Sequence, residues 1–118
     1  YKKFNENPQH LCFAGHIAVV GSTGFAEPGK TATGLTYLGI FDETIDNTGG
    51  ADGDVFVMVR THSAFLFDNA SADAVVQSLV GKKCYIHDSK TVCKTSATNT
   101  KSEGGVVLEI TNEGVWVA

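Results

Sequence analysis

Val55-Phe56-Val57-Met58-Val59 is apolar at every position and so offers no polar face to water. Periodicity alone leaves two readings, a short buried helix or a strand covered on both sides. Three valines in five positions decide for strand, because β-branched side chains fit a pleated surface and are restricted in a helix. A second strand candidate, residues 34–41, comes before it, with Leu35, Tyr37, Gly39 and Phe41 on one face. Between the two lies Thr44-Ile45-Asp46-Asn47-Thr48-Gly49-Gly50-Ala51-Asp52-Gly53. Asn, Asp and Gly tolerate positive φ, so this loop can fold back where most residues would be strained. Lys30 and Arg60 bracket a window with no basic residue, and Asp42, Glu43, Asp46, Asp52 and Asp54 fall inside it. The reading is an acidic, shaped connection on a β scaffold, a surface that meets something.

Outward from this centre the pattern stays β. Residues 1–10 are polar, without period, and read as an extended N-terminal arm; residues 11–118 read as a single β domain. Residues 11–20 form the first strand candidate, with Leu11, Phe13, Gly15, Ile17 and Val19 on one face. Gly21-Ser22-Thr23-Gly24 and Glu27-Pro28-Gly29-Lys30 read as turns. Residues 64–67 read as the neighbour of the 55–59 strand after a short turn at Thr61-His62-Ser63. Ala72, Val75, Val76 and Leu79 recur at helical spacing and predict one helix over 71–80, with Ser71 as N-cap and Gly81 as terminator. Residues 83–87 and 90–94 make a hairpin around Asp88-Ser89, which sets Cys84 opposite Cys93. Residues 95–104 read as a mobile loop. Residues 105–110 alternate, with Val106, Leu108 and Ile110 inward, and Thr111-Asn112-Glu113-Gly114 turns the chain into Val115-Trp116-Val117. About eight short strands and one short helix predict a mainly β fold, a small β-barrel or β-sandwich with a helical insertion.

The totals narrow the class. At 118 residues the chain makes one domain with a single core. Its 13 glycines and low charge suit strands and turns. A net charge of −4 with Arg60 as the only arginine argues against nucleic-acid binding, which needs clustered cations. No apolar run reaches the ~20 residues of a membrane helix. Tyr1 in place of a methionine suggests residues before it in the full product, and nothing at the start has the layout of a signal peptide. Three cysteines, an odd number, point to a reducing compartment rather than a disulfide framework.

No constellation carries a reaction. Asp46, Asn47, Asp52 and Asp54 lack the ligand spacing of an EF-hand. Cys12-x3-His16 and Cys84-x2-His87 resemble zinc half-sites only superficially, since strand residues three apart face opposite ways. His10, His16, His62 and His87 are scattered, with no Gly-x-Ser-x-Gly elbow nearby. The expectation is therefore a non-enzyme without cofactor or metal. Trp116 faces opposite to Val115 and Val117 and marks either a partner contact or a second core layer. The arm, Tyr1-Lys2-Lys3-Phe4, pairs aromatic with basic residues and can add onto a sheet edge.

Three segments resemble a known family in order and spacing. They are Asp42-Glu43-Thr44-Ile45-Asp46-Asn47-Thr48-Gly49-Gly50-Ala51-Asp52-Gly53 with the strand after it, Val80-Gly81-Lys82-Lys83-Cys84-Tyr85-Ile86-His87-Asp88 with Thr91-Val92, and residues 104–117. The family is that of small virion structural proteins of tailed bacteriophages and prophages, and the resemblance leaves the arm uncovered. It implies a capsid decoration (cement) protein that stabilises the head from outside, as trimers, with the major capsid protein as partner. It also implies a place on the virion surface after assembly in the host cytoplasm. It supplies no catalytic residues. The contacts expected to shell or sister copies are Tyr1, Lys2, Lys3, Phe4, Asp46, Asn47, Asp52 and Trp116. The competing reading is a small ligand- or carbohydrate-binding β module, with Trp116 and Tyr85 as stacking platforms.

Overall fold

In the computed structural model, residues 2–5, 11–22, 24–46 and 56–118 are described. Two β units share one body. The first is a sheet of five strands in the order β1-β7-β5-β3-β4, all antiparallel. Its members are β1 (Lys2–Asn5), β3 (Ile17–Val20), β4 (Ala26–Pro28), β5 (Thr36–Phe41) and β7 (Phe56–Thr61). The second is a closed barrel in the order β10-β8-β12-β11-β9. It is built from β8 (Phe65–Asn69), β9 (Lys83–Ile86), β10 (Thr91–Cys93), β11 (Glu103–Thr111) and β12 (Gly114–Val117). A short pair, β2 (Leu11–Cys12) and β6 (Ile45–Asp46), lies beside them. The mainly β reading with a barrel holds.

Strand β3 is buried on both faces, whereas β7 sends Val57 and Val59 into one cluster and leaves Met58 half-buried. Ile17 and Val19 join the barrel interior, packing with Phe67, Ile86, Val107, Val115 and Val117. Ala18 points the other way into a second cluster with Ala26, Phe41, Val57 and Val59. Hydrogen bonds weld the units together: Ile17 N–H donates to Ser89 O at 2.6 Å, and Thr31 Oγ1 to His87 O at 2.6 Å. Buried Ser102 adds a bridge, donating to Ala32 O at 2.7 Å and accepting from Leu35 N–H at 3.0 Å.

Several local expectations are corrected. The shared face of Leu35, Tyr37, Gly39 and Phe41 is broken by a bulge, since Ala18 pairs with Gly39 and Val19 with Tyr37. Leu35 and Tyr37 therefore pack on the barrel while Phe41 enters the second cluster. Gly39 sits at φ 149°, where a Cβ would collide with the Arg60 carbonyl. The first strand is interrupted at 13–16, leaving Phe13 exposed, and Glu27-Pro28 belongs to edge strand β4 rather than a turn. Residues 65–69 do not pair with β7: past His62, at φ 57°, the chain leaves the sheet, and β8 pairs with β12 and, in parallel, with β10.

The helix over 71–80 does not form; only a 3-10 turn at Gln77–Leu79 is helical. Asn69 clamps Val75 through both backbone groups, accepting from its N–H at 2.8 Å and donating to its carbonyl at 3.0 Å. Val76 is extended, and Val75 is buried in the barrel core. A ten-residue helix has little stability of its own to set against such bonds. Residues 95–104 are also more ordered than read. Ala97, Thr98 and Asn99 are left-handed in succession, Thr100 N–H donates to Ser96 O at 2.9 Å, and Glu103 and Gly104 belong to β11.

In β11 the core takes Val107 in place of Val106 and Leu108, while Ile110 packs on the core as expected. Val107 is fully buried and Leu108 is 46% exposed, while Val106 and Ile110 are half-buried. In the 83–94 hairpin Cys93 stands opposite Tyr85, not Cys84. Both thiols are free and buried.

Candidate functional site

Of the expected contact residues, Lys2, Lys3 and Phe4 lie on the edge strand of the five-stranded sheet, and Asp46 lies in the separate β2-β6 pair. Lys2, Lys3, Phe4 and Asn5 pair with Val59, Met58, Val57 and Phe56. Asn5 therefore stands opposite Phe56, the residue with which the described chain resumes after the acidic loop. Asp46, the last described residue before that loop, pairs with Leu11. The arm is thus paired with the strand after the loop, and the residue before the loop is held in the separate two-stranded sheet. Tyr1, Asn47, Asp52 and Asp54 lie outside the described residues. Among the described strands β1 occupies the sheet edge, the position at which a further strand can add.

Trp116 belongs to a different surface. It projects from β12 on the outside of the barrel, opposite buried Val115 and Val117, as alternation predicts. Leu66 pairs with it from β8, and Leu108 flanks it from β11. The sequence reading missed these two partners, although Leu66 stands between Phe65 and Phe67 as Trp116 stands between two valines. Tyr85 does not share a stacking platform with Trp116. Tyr85 is level with Glu103 and Trp116 with Glu109, six positions apart along β11 and so roughly 20 Å.

One end of the barrel opens as a cleft of about 550 Å³ lined by Asp68, Asn69, His87, Asp88, Asn112 and Glu113 among others. Partial burial works against the charged form of Asp88. Its bonds from the Lys90 N–H, at 2.9 Å, and from Thr91 outweigh that and hold the carboxyl below its ordinary value. The acid is thus a turn anchor in its charged form. His16 Nδ1 lies 3.1 Å from Ser89 Oγ, and Phe13 packs its ring 5.3 Å from the imidazole. The adjoining Ile17–Ser89 backbone bond identifies this pair as part of the clasp between sheet and barrel. Cys84 is enclosed in the barrel, its thiol donating to Gly105 O at 3.4 Å, and burial pushes it up to about 12. His87 is exposed, so burial separates the residues of that zinc half-site. Among the described residues no group of three or more His, Cys, Asp and Glu is arranged to hold a metal ion.

Comparison with known protein families, curated proteins and solved structures finds no match.

Proposed function

We propose that this chain is a non-enzymatic capsid decoration protein of a tailed bacteriophage, binding the outer surface of the head and stabilising it. The observation that carries the reading is the pairing of the arm with the strand that follows the acidic loop. Asn5 stands opposite Phe56, where the described chain resumes after the loop, and Leu11 stands opposite Asp46, where it breaks off, in a separate two-stranded sheet. The resemblance adds support, because its second and third segments supply four of the five barrel strands, β9 to β12. A stiff barrel behind a strand edge and an acidic loop suits repeated attachment to a lattice. Many copies then turn a modest contact into large particle stability through avidity.

The deciding experiment is copy number in purified virions, by quantitative mass spectrometry against the major capsid protein. Near-equal stoichiometry is expected. A handful of copies would place the protein at the tail or a vertex, and absence from the particle would end the structural reading. Deleting residues 1–4 is expected to lower capsid occupancy; unchanged occupancy would remove the arm from the contact.

A further inference from the structure

Cys93 is the last residue of β10 and stands opposite Tyr85 of β9. Directly opposed residues of an antiparallel pair project to the same side. Cys84 and Ile86, the neighbours of Tyr85, point into the barrel core, so Tyr85 and Cys93 point out of it. Cys93 is nonetheless fully buried. Its cover is the segment that follows, residues 94–101. The Cys93 thiol donates to Thr95 O at 3.4 Å, and Lys101 Nζ, eight positions along the chain, donates to the sulfur at 3.3 Å. Two nucleophilic side chains thus touch on the outside of the barrel wall.

Both ends of this cover are fixed. Thr95 bonds to the Asp73 carboxylate through its N–H at 3.0 Å and its Oγ1 at 2.7 Å, and Ser102 is tied to Ala32 O and Leu35 N–H. Between these anchors Ala97, Thr98 and Asn99 are left-handed, and no residue from 94 to 101 is buried. A segment with so little buried surface opens locally more readily than the strands beneath it. Lys101 also lines a surface cleft of about 340 Å³ with Tyr85, Ser96 and Asn99. A small oxidant therefore reaches Cys93 past its own lysine. Cys84 has no such route, being enclosed in the barrel with its thiol on Gly105 O. It also projects to the other side of the wall, which removes it as a disulfide partner for Cys93.

We propose that Cys93 and Lys101 form a redox-sensitive crosslinking site, joined by a sulfur–nitrogen bond when the protein meets hydrogen peroxide. Peroxide first oxidises the Cys93 thiol to a sulfenic acid, giving one oxygen to sulfur and leaving as water. The Lys101 amine, its extra proton released to solvent, then attacks the sulfenyl sulfur. The S–N bond forms, the S–O bond breaks, and the oxygen departs with an amine proton as a second water. In sum, one thiol, one amine and one peroxide give one sulfenamide and two waters, with sulfur oxidised and peroxide reduced. Nitrogen and sulfur 3.3 Å apart are already at reacting distance, so condensation is intramolecular and outruns a second peroxide. Two molecules of an added thiol reverse the link, returning thiol and amine and leaving one disulfide. The linkage closes residues 93–101 into a ring and holds the cover shut. It is a property of the barrel alone and stands or falls separately from attachment to a capsid.

The test treats the full chain with hydrogen peroxide, then unfolds, alkylates and digests it with trypsin for mass spectrometry. Trypsin cuts after Lys94, so residues 93 and 101 fall on separate peptides unless they are linked. The expected product joins them with the loss of one hydrogen from each side chain, disappears on treatment with dithiothreitol, and leaves Cys84 alkylated. The oxidised chain is expected to melt about 5–10 °C above the reduced one, the effect of closing a short loop. Lys101→Arg keeps a cation against the sulfur and removes the amine. It is expected to abolish the linked peptide and to leave a sulfenic acid that dimedone captures. Cys93 recovered unmodified from the parent, or carried on to the sulfinic acid, overturns the proposal. So does a link from Cys93 to any residue other than Lys101, or an oxidised parent that melts no higher than oxidised Lys101→Arg.

Discussion

At φ 61°, Asp73 holds a conformation that costs an ordinary L-residue about 1–2 kcal/mol. Tertiary bonds hold it there: its carboxylate accepts from Thr95 Oγ1 at 2.7 Å and Thr95 N–H at 3.0 Å, and its carbonyl from Lys94 N–H at 2.9 Å. The Thr95 hydroxyl is the largest influence on the carboxyl, which sits below its ordinary 3.8, and Lys101 and Lys94 add to it. A depressed folded pKa gives stability that is present above the unfolded value and lost as pH falls through the folded one. Asp73→Asn keeps the tolerance for positive φ and removes the charge. It is expected to lower the melting temperature at pH 7, with the gap to the parent closing as pH drops below 3.8. Thermal melts across pH 2–7 check this, and a pH-independent gap would assign the loss to shape alone. At Gly39 the constraint is steric. Gly39→Ala drives a Cβ into the Arg60 carbonyl, and a loss of about 2–4 kcal/mol is expected in urea unfolding.

β11 shows where a sequence pattern misleads at the scale of an element. Its residues Gly105-Val106-Val107-Leu108-Glu109-Ile110 alternate in a way that suits Val106, Leu108 and Ile110 as the inner set. A one-residue change of register exchanges every side chain between faces. Here the barrel takes Val107, and the bulge before Glu109 then turns Ile110 back toward the core. Val107→Ala is expected to cost about 1–3 kcal/mol by leaving a cavity, and Leu108→Ala less than about 0.5 kcal/mol; denaturant unfolding of both variants separates the two registers. The clamp that displaced the helix over 71–80 is testable likewise. Asn69→Ala strips Val75 of two bonds and is expected to cost about 1–3 kcal/mol. Strand identity was legible because Val55–Val59 and Val115–Val117 carry β-branched residues whose preference is local. The faces of β5 and β11, the partner of Cys93 and the fate of residues 71–76 were not. Each depends on a bulge, on the register of a turn or on a side chain outside the periodic run, none of which leaves a periodic trace. For the site, alternation set Trp116 opposite its two valines and left open whether that face is covered, whereas the place of the arm beside the strand after the loop needed the pairing of residues 51 positions apart, Asn5 and Phe56.

For the molecule as a whole, β3 ties two cores into one. Ile17 and Val19 serve the barrel, Ala18 serves the sheet, and all three are fully buried. Ile17→Ala is accordingly expected to cost about 2–5 kcal/mol. It should lower one cooperative transition, seen alike by Trp116 fluorescence and far-ultraviolet dichroism, rather than split it in two. The strand order has a further consequence for how the protein comes into being. Chains emerge from the ribosome from the N-terminal end, yet β8 has β12 as one of its two neighbours, and β12 begins only at Gly114. Throughout synthesis of the intervening residues, Phe65, Leu66 and Phe67 stand on a strand with an unclaimed edge. The nascent polypeptide is therefore sticky until its final hairpin is made, and slowing translation over that interval favours tangling with other nascent chains over native closure.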